Sequence, residues 1–174
     1  MATGSWVLAS CQPLTASSSI FTTNSNKMSV ENFFSKEEKK RITDAIAEAE
    51  KNTSGEIRLH VEGHCTIDVL DRAAYLFGKL KMHETAQRNG VLFYLAVHDR
   101  KFAILGDAGI NQLVPVNFWD QIKETMLVYF KEGKFTDGLT KGILMAGEQL
   151  KANFPYHKDD VDELTNEISF DKNL

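Results

Sequence analysis

The side chains best suited to chemistry in this chain are oxygen donors at the borders of extended segments: Glu56, Asn89 and Asp107. Glu56 follows Thr53-Ser-Gly55 and Asn89 precedes Gly90. Asp107 stands between Gly106 and Gly109, where backbone can turn sharply and a ligand can approach closely. Hard donors of this kind, with the carbonyls of Gly106 and Ala108, suit Ca²⁺ or Mg²⁺ better than zinc, and Asp120 or Asp137 could complete the set from helices. If phosphoryl chemistry occurs there, a held cation would polarise a phosphate oxygen and activate a bound water, and Arg88 could offset developing charge. No residue presents itself as a covalent nucleophile. The plainer reading of the same residues makes Asp107 a turn cap and Glu56 a solvated strand residue.

A second group, His64, Thr66, Asp68, His98 and Asp99, falls just beyond two strand-like segments, where ligands usually sit in parallel α/β sheets. His60, Glu62 and His64 alternate onto one side of an extended strand with Cys65 next, which invites a zinc reading. The His-x-Glu element of zinc deaminases is there, but its Pro-Cys-x-x-Cys half is absent from the chain, so a polar strand face with an incidental cysteine is the expectation. No glycine-rich phosphate loop, nucleophile elbow or metalloprotease helix motif occurs.

These residues need elements to position them. Ser35-Lys-Glu-Glu38 is a capping box, and Ile42, Ala45, Ile46 and Ala49 follow at helical spacing, giving a helix over about 35 to 52. Glu56 to Glu62 alternates strictly, so a strand with one wet or lightly covered face is expected. Val69, Leu70, Ala73, Ala74, Phe77 and Leu80 form the stripe of a second helix. Val91 to Val97 is almost unbroken apolar, as for a central strand covered on both sides, and Asp99-Arg100 turns the chain into an antiparallel strand over Phe102 to Leu105. Two more helices follow, through Phe118, Ile122, Met126 and Phe130, then Leu139, Ile143, Ala146 and Leu150, with Thr136 or Asp137 as cap of the later one. Phe118, Trp119, Phe130 and Phe135 are expected in the core.

Strand, helix and strand imply a right-handed βαβ unit with a parallel first pair. The starts of the first two strands and the end of the third then share one edge, carrying Glu56, Asn89 and Asp107. The alternative edge carries His64, Asp68 and Asp99.

Length suits one domain: a leader over 1–27, an α/β body over 28–155 and an acidic tail over 156–174 that could dock a short helix through Val161, Leu164 and Ile168. Acidic residues number 24 against 20 lysines and arginines, which are scattered, and this disfavours a nucleic-acid partner. A monomer is expected. Cys11 and Cys65 make no disulfide framework. No run approaches the roughly 18 apolar residues of a membrane span, so a cytoplasmic or otherwise soluble protein is expected. Trp6 to Cys11 superficially matches a lipoprotein signal, but a basic n-region and a sufficient apolar stretch are lacking. A disordered leader before a natural start at Met28 is the reading preferred.

The ordered blocks Asn89-Gly-Val-Leu, His98-Asp-Arg-Lys and Gly106-Asp-Ala-Gly-Ile110, with Thr53-Ser-Gly-Glu-Ile57 upstream and Phe130 to Leu139 downstream, resemble the TPM domain family over roughly residues 33 to 155. The resemblance implies a three-layer α/β/α Rossmann-like sandwich with a small mixed β-sheet, and divalent cation binding. It also implies acid phosphatase activity, described for thylakoid-lumen relatives that act in photosystem II repair. Those relatives' targeting and membrane segments are not expected here, and a small stand-alone bacterial member is the expectation. Its expected role is a cation-ordered interaction module with a protein partner, the alternative being a metal-assisted phosphatase acting on small phosphate esters.

Overall fold

The computed structural model describes residues 29–156 and 164–171. Helix α1 (Lys36–Glu50) opens on the expected capping box: the Ser35 side chain accepts from Glu38 N–H, and Glu38 accepts from Ser35 N–H at 2.8 Å. Strand β1 (Glu56–Glu62), helix α2 (Val69–Lys79) and strand β2 (Gly90–Ala96) form the βαβ unit, and β3 (Lys101–Gly106) returns antiparallel to β2. A four-residue helix α3 (Ala108–Asn111) follows, then α4 (Phe118–Lys131) and α5 (Phe135–Asn153).

The sheet order is β3-β2-β1-β4, where β4 is the two-residue strand Ser169–Phe170 laid parallel to His60 and Val61. In the described part of the tail, strand pairing replaces the helix expected through Leu164 and Ile168. Val161 and the leader over 1–27, with Cys11, lie outside the described residues. The later helix also starts differently, since α5 begins at Phe135 and leaves Thr136 and Asp137 inside its first turn rather than at its cap.

Period-two alternation sends the sheet's side chains into two cores. Ile57, Leu59, Val61, Val91, Phe93, Leu95, Phe102 and Ile104 pack under α1, α4 and α5, with Phe118, Trp119 and Phe130 buried among them. Leu92, Tyr94, Ala96, Ala103 and Leu105 pack under α2. Helices therefore cover both faces, and the fold is a three-layer α/β/α sandwich around an open mixed sheet. Helices α1 and α5 approach closely at Gly147, where an added Cβ would stand 2.6 Å from that of Ala49.

The polar side of β1 is not wet. Glu56, His60 and Glu62 are all buried, because α2 and the tail close over a face that alternation alone leaves open. Burial obliges those groups to find partners, and the partners define much of the site geometry.

Candidate functional site at the start of β1

At the sheet end where β1 and β2 begin, Asp107 is 1% exposed and fully engaged. Arg88 grips it with Nε on Oδ2 at 2.7 Å and Nη2 on Oδ1 at 2.8 Å, and Ala108 N–H donates to Oδ1 at 2.7 Å. The carboxylate thus caps α3 and anchors the loop before β2. Gly109 permits the clasp: its N–H donates to Arg88 O at 2.8 Å, and a Cβ there would drive into the carbonyls of Gln87 and Arg88.

Asn89 and Glu56 lie one strand across. Glu56 pairs in register with Gly90, which places Asn89 beside the start of β1. Asn89 is 1% exposed; its Nδ2 donates to Ser54 Oγ at 3.2 Å, while its buried Oδ1 has no hydrogen-bond partner. Gln87 Nε2 also donates to Ser54 Oγ, at 2.9 Å. Ser54, Glu50 and Glu56 line a cavity of about 440 Å³ with Thr53, Tyr156 and Asn166. Glu50 Oε1 accepts Ile57 N–H at 2.8 Å, and Asn166 contributes a second buried amide oxygen without a partner.

The helix carboxylates do not assemble with these. Asp120 lies in the first turn of α4, next to Trp119, which packs against Gly106 and donates to Asn111 Oδ1 at 2.8 Å; the Asp120 carboxylate itself takes Lys123 Nζ at 2.7 Å. Asp137 belongs to the other end of the molecule. It accepts from Arg41 at 2.6 Å near the start of α1, whereas the end of α5 meets β1 where Leu150 touches Gly55. About 20 Å of helix separates Asp137 from Leu150. Among the described residues no three His, Cys, Asp or Glu side chains group to hold a metal.

Across the middle of β1, the residues of the zinc reading are taken by other partners. Glu62, 2% exposed, receives Arg72 through Nε at 3.0 Å and Nη2 at 2.7 Å, and Tyr94 OH as well. Burial pushes the Glu62 carboxyl up, but the Arg72 and Tyr94 hydrogen bonds outweigh it and hold it below the usual carboxylate range. Burial, then Cys65 and Glu62, raise the Tyr94 hydroxyl. His60 Nδ1 lies 2.8 Å from Ser169 Oγ, and its buried Nε2 has no partner. Desolvation pushes His60 down to about 4, against the pull of Glu62 and Asp171. Cys65 is buried, its Sγ on Ile67 O at 3.4 Å.

The alternative edge is polar and open. Asp99 holds His64 Nδ1 at 2.8 Å and Cys65 N–H at 2.6 Å, so it does more than make the hairpin turn. Burial raises the Asp99 carboxyl, but those two contacts bring it below its ordinary value. Asp68 is occupied as the N-cap of α2.

Sequence reasoning missed Ser54, Glu50, Arg72, Tyr94 and Ser169. Tyr94 had a signal, as the one polar-tipped side chain in an apolar strand. Ser169 had none, since its place follows from a chain reversal far along the sequence.

The TPM domain model matches residues 28–149. The BA42 protein of the psychrophilic bacterium Bizionia argentinensis, solved by NMR, is similar at 51% identity and a TM-score of 0.76, covering 82% of this chain and 98% of that one. Two further NMR structures share the fold. The N-terminal domain of a P. gingivalis protein has 16% identity and a TM-score of 0.60 over 71% of this chain and 82% of its own. The N-terminal domain of cg2496 from Corynebacterium glutamicum has 10% identity and a TM-score of 0.57 over 82% and 92%. No curated protein matches the chain. No helix among the described residues is long and apolar enough to cross a membrane. With the family model spanning most of its length, the chain belongs to the TPM domain family.

Proposed function

We propose that this domain binds a divalent cation, Ca²⁺ or Mg²⁺, at the start of β1, and that binding orders the loops there as a surface for a protein partner. The observation that carries the reading is Asn89 Oδ1, a buried amide oxygen without a partner beside the start of β1. Such an orphan acceptor is costly unless something meets it, and a hard cation, which takes carbonyl oxygens as ligands, would meet it. Glu56 supplies the carboxylate, and the cavity lined by Glu50 and Ser54 leaves room for the waters that Ca²⁺ and Mg²⁺ retain. Asp107 would join only if Arg88 let go of it.

Metal-assisted hydrolysis of a phosphate ester is the second reading, and the half-exposed Arg88 side chain favours it. Its charge is already balanced by Asp107, which leaves little to clamp a phosphate.

Amide NMR titration with Ca²⁺ and Mg²⁺ tests both readings, followed by hydrolysis of p-nitrophenyl phosphate on the same sample. The cation reading expects shifts at 54–57 and 88–90 and an affinity loss of about tenfold or more in Glu56→Gln. Undiminished binding by that variant would move the site elsewhere. Hydrolysis that disappears in the same variant would establish the enzyme reading instead.

A further inference from the structure

The parallel register of β1 and β2 creates a second place where ligand atoms converge. Glu62 pairs with Ala96, and the pairing continues past the strands through Val97 N–H to Glu62 O and His98 N–H to Gly63 O, both 2.9 Å. Carried one step further, it sets His64 beside His98. Their ring centroids are 4.9 Å apart, tilted by 41°. Both rings lie just beyond the carboxyl ends of the strands.

We infer that His64 and His98 form a site for a first-row transition cation of the Zn²⁺, Ni²⁺ and Cu²⁺ class, distinct from the hard-cation site at the opposite end of the sheet. At metal–nitrogen distances of about 2.0–2.1 Å, two imidazoles sharing one ion at roughly 90–110° place their centroids about 4.5–5.2 Å apart, which the observed spacing satisfies. Asp99 positions the first ligand. By accepting from Nδ1 it sets the tautomer of His64 and leaves the Nε2 lone pair for the metal, as carboxylates do behind metal-binding histidines. The other Asp99 oxygen is pinned by Cys65 N–H, so the carboxylate cannot swing away without breaking a second bond.

The His98 ring makes no hydrogen bond among the described residues, and its Cδ2–Nε2 side faces Gly63, the residue before His64. Neutral imidazoles are borderline donors that select transition ions over Ca²⁺ and Mg²⁺. Two protein nitrogens leave the other positions to water. Lys101 lies close, its ammonium on Cys65 O at 2.9 Å, and its charge opposes the cation.

The test uses the whole chain carrying Cys11→Ser, titrated with Zn²⁺ and Ni²⁺ by calorimetry and amide NMR. Perturbations should centre on 63–65 and 97–99, and His64→Gln or His98→Gln should each weaken binding about tenfold or more. His83→Gln and His157→Gln should leave it unchanged, and excess Ca²⁺ should not displace the ion. Asp99→Asn should weaken binding by about 10–100-fold and abolish the Nδ1–H tautomer of His64 in a long-range ¹⁵N spectrum. Absence of binding, perturbations centred elsewhere, or an unchanged affinity in a folded His98→Gln protein would overturn the inference.

Discussion

Acidification should destabilise this domain through His60, by an amount that can be worked out. The ring is buried against Ser169 and stacked on Tyr94 with centroids 6.3 Å apart, and its Nε2 is buried without a partner. Desolvation dominates the groups around it: Glu62 and Asp171 favour the charged ring, Arg72 and Lys79 oppose it, and the balance falls at about 4 against 6.5 for a free side chain. The unfolded chain therefore binds the proton more tightly. Stability is complete above pH 6.5 and is lost as pH falls from there toward 4. The gap is worth roughly 3 kcal/mol in full, of which about 2 kcal/mol disappears between pH 7 and pH 5. Urea denaturation of the parent and of His60→Gln across that range measures it. The variant loses the Ser169 bond at every pH, so the informative quantity is slope, which should be flatter by about 2 kcal/mol over the two pH units. A ¹H titration of the His60 ring should give a midpoint near 4. Parallel stability curves together with a midpoint near 6.5 would refute the reasoning.

Three further outcomes are expected. Gly109→Ala forces a Cβ into the Gln87 and Arg88 carbonyls, which cannot yield as a side-chain tip could. It should cost about 1–3 kcal/mol in chemical denaturation, with amide shifts at 87–90. Arg88→Ala strands the buried Asp107 carboxylate, but the Ala108 N–H remains and Arg88 was half exposed, so about 2 kcal/mol is expected rather than the roughly 3–5 of a fully buried pair. A stability change within error would show that water replaces the guanidinium. Ser35→Ala removes one half of the capping box and should lower the thermal midpoint in proportion to about 1 kcal/mol.

The elements most legible in the sequence are those whose order is local. Residues 91–97 announce a doubly covered strand because they are almost unbroken apolar, with only the Tyr94 hydroxyl as a polar tip, and the Ser35–Glu38 box announces a helix start because its partners are three residues apart. Long-range closure leaves no local trace. The alternation of β1 is visible, but not that Arg72 on α2 and Ser169 on β4 would cover its polar side, so of the face read as wet or lightly covered Glu56, His60 and Glu62 are buried and Arg58 partly so. The candidate site divides in the same way. Topology brings Glu56, Asn89 and Asp107 to one end of the sheet, whereas Asp137, read as a helix carboxylate able to complete the set, is carried to the far end by the parallel course of α1 and α5.

Asp107 is the residue whose glycine-flanked setting most suggests a ligand, and the structure explains why that setting exists without one. The loop before β2 holds Lys81 and Arg88 at positive φ, 60° and 53°, conformations that cost a non-glycine residue on the order of 1 kcal/mol or more each. Something must fix that loop. The two-pronged Arg88–Asp107 contact does so, and Gly109 provides the room it needs. A carboxylate so committed is a poor metal ligand, because recruiting it would release the strained loop and leave a guanidinium unpaired. One strand away the balance reverses, since meeting the buried oxygen of Asn89 removes a cost and breaks no described hydrogen bond to that atom. In the proposed cation site the ligand atoms at this end of the sheet therefore come from Asn89, Glu56 and the cavity behind Ser54, with Asp107 holding the frame.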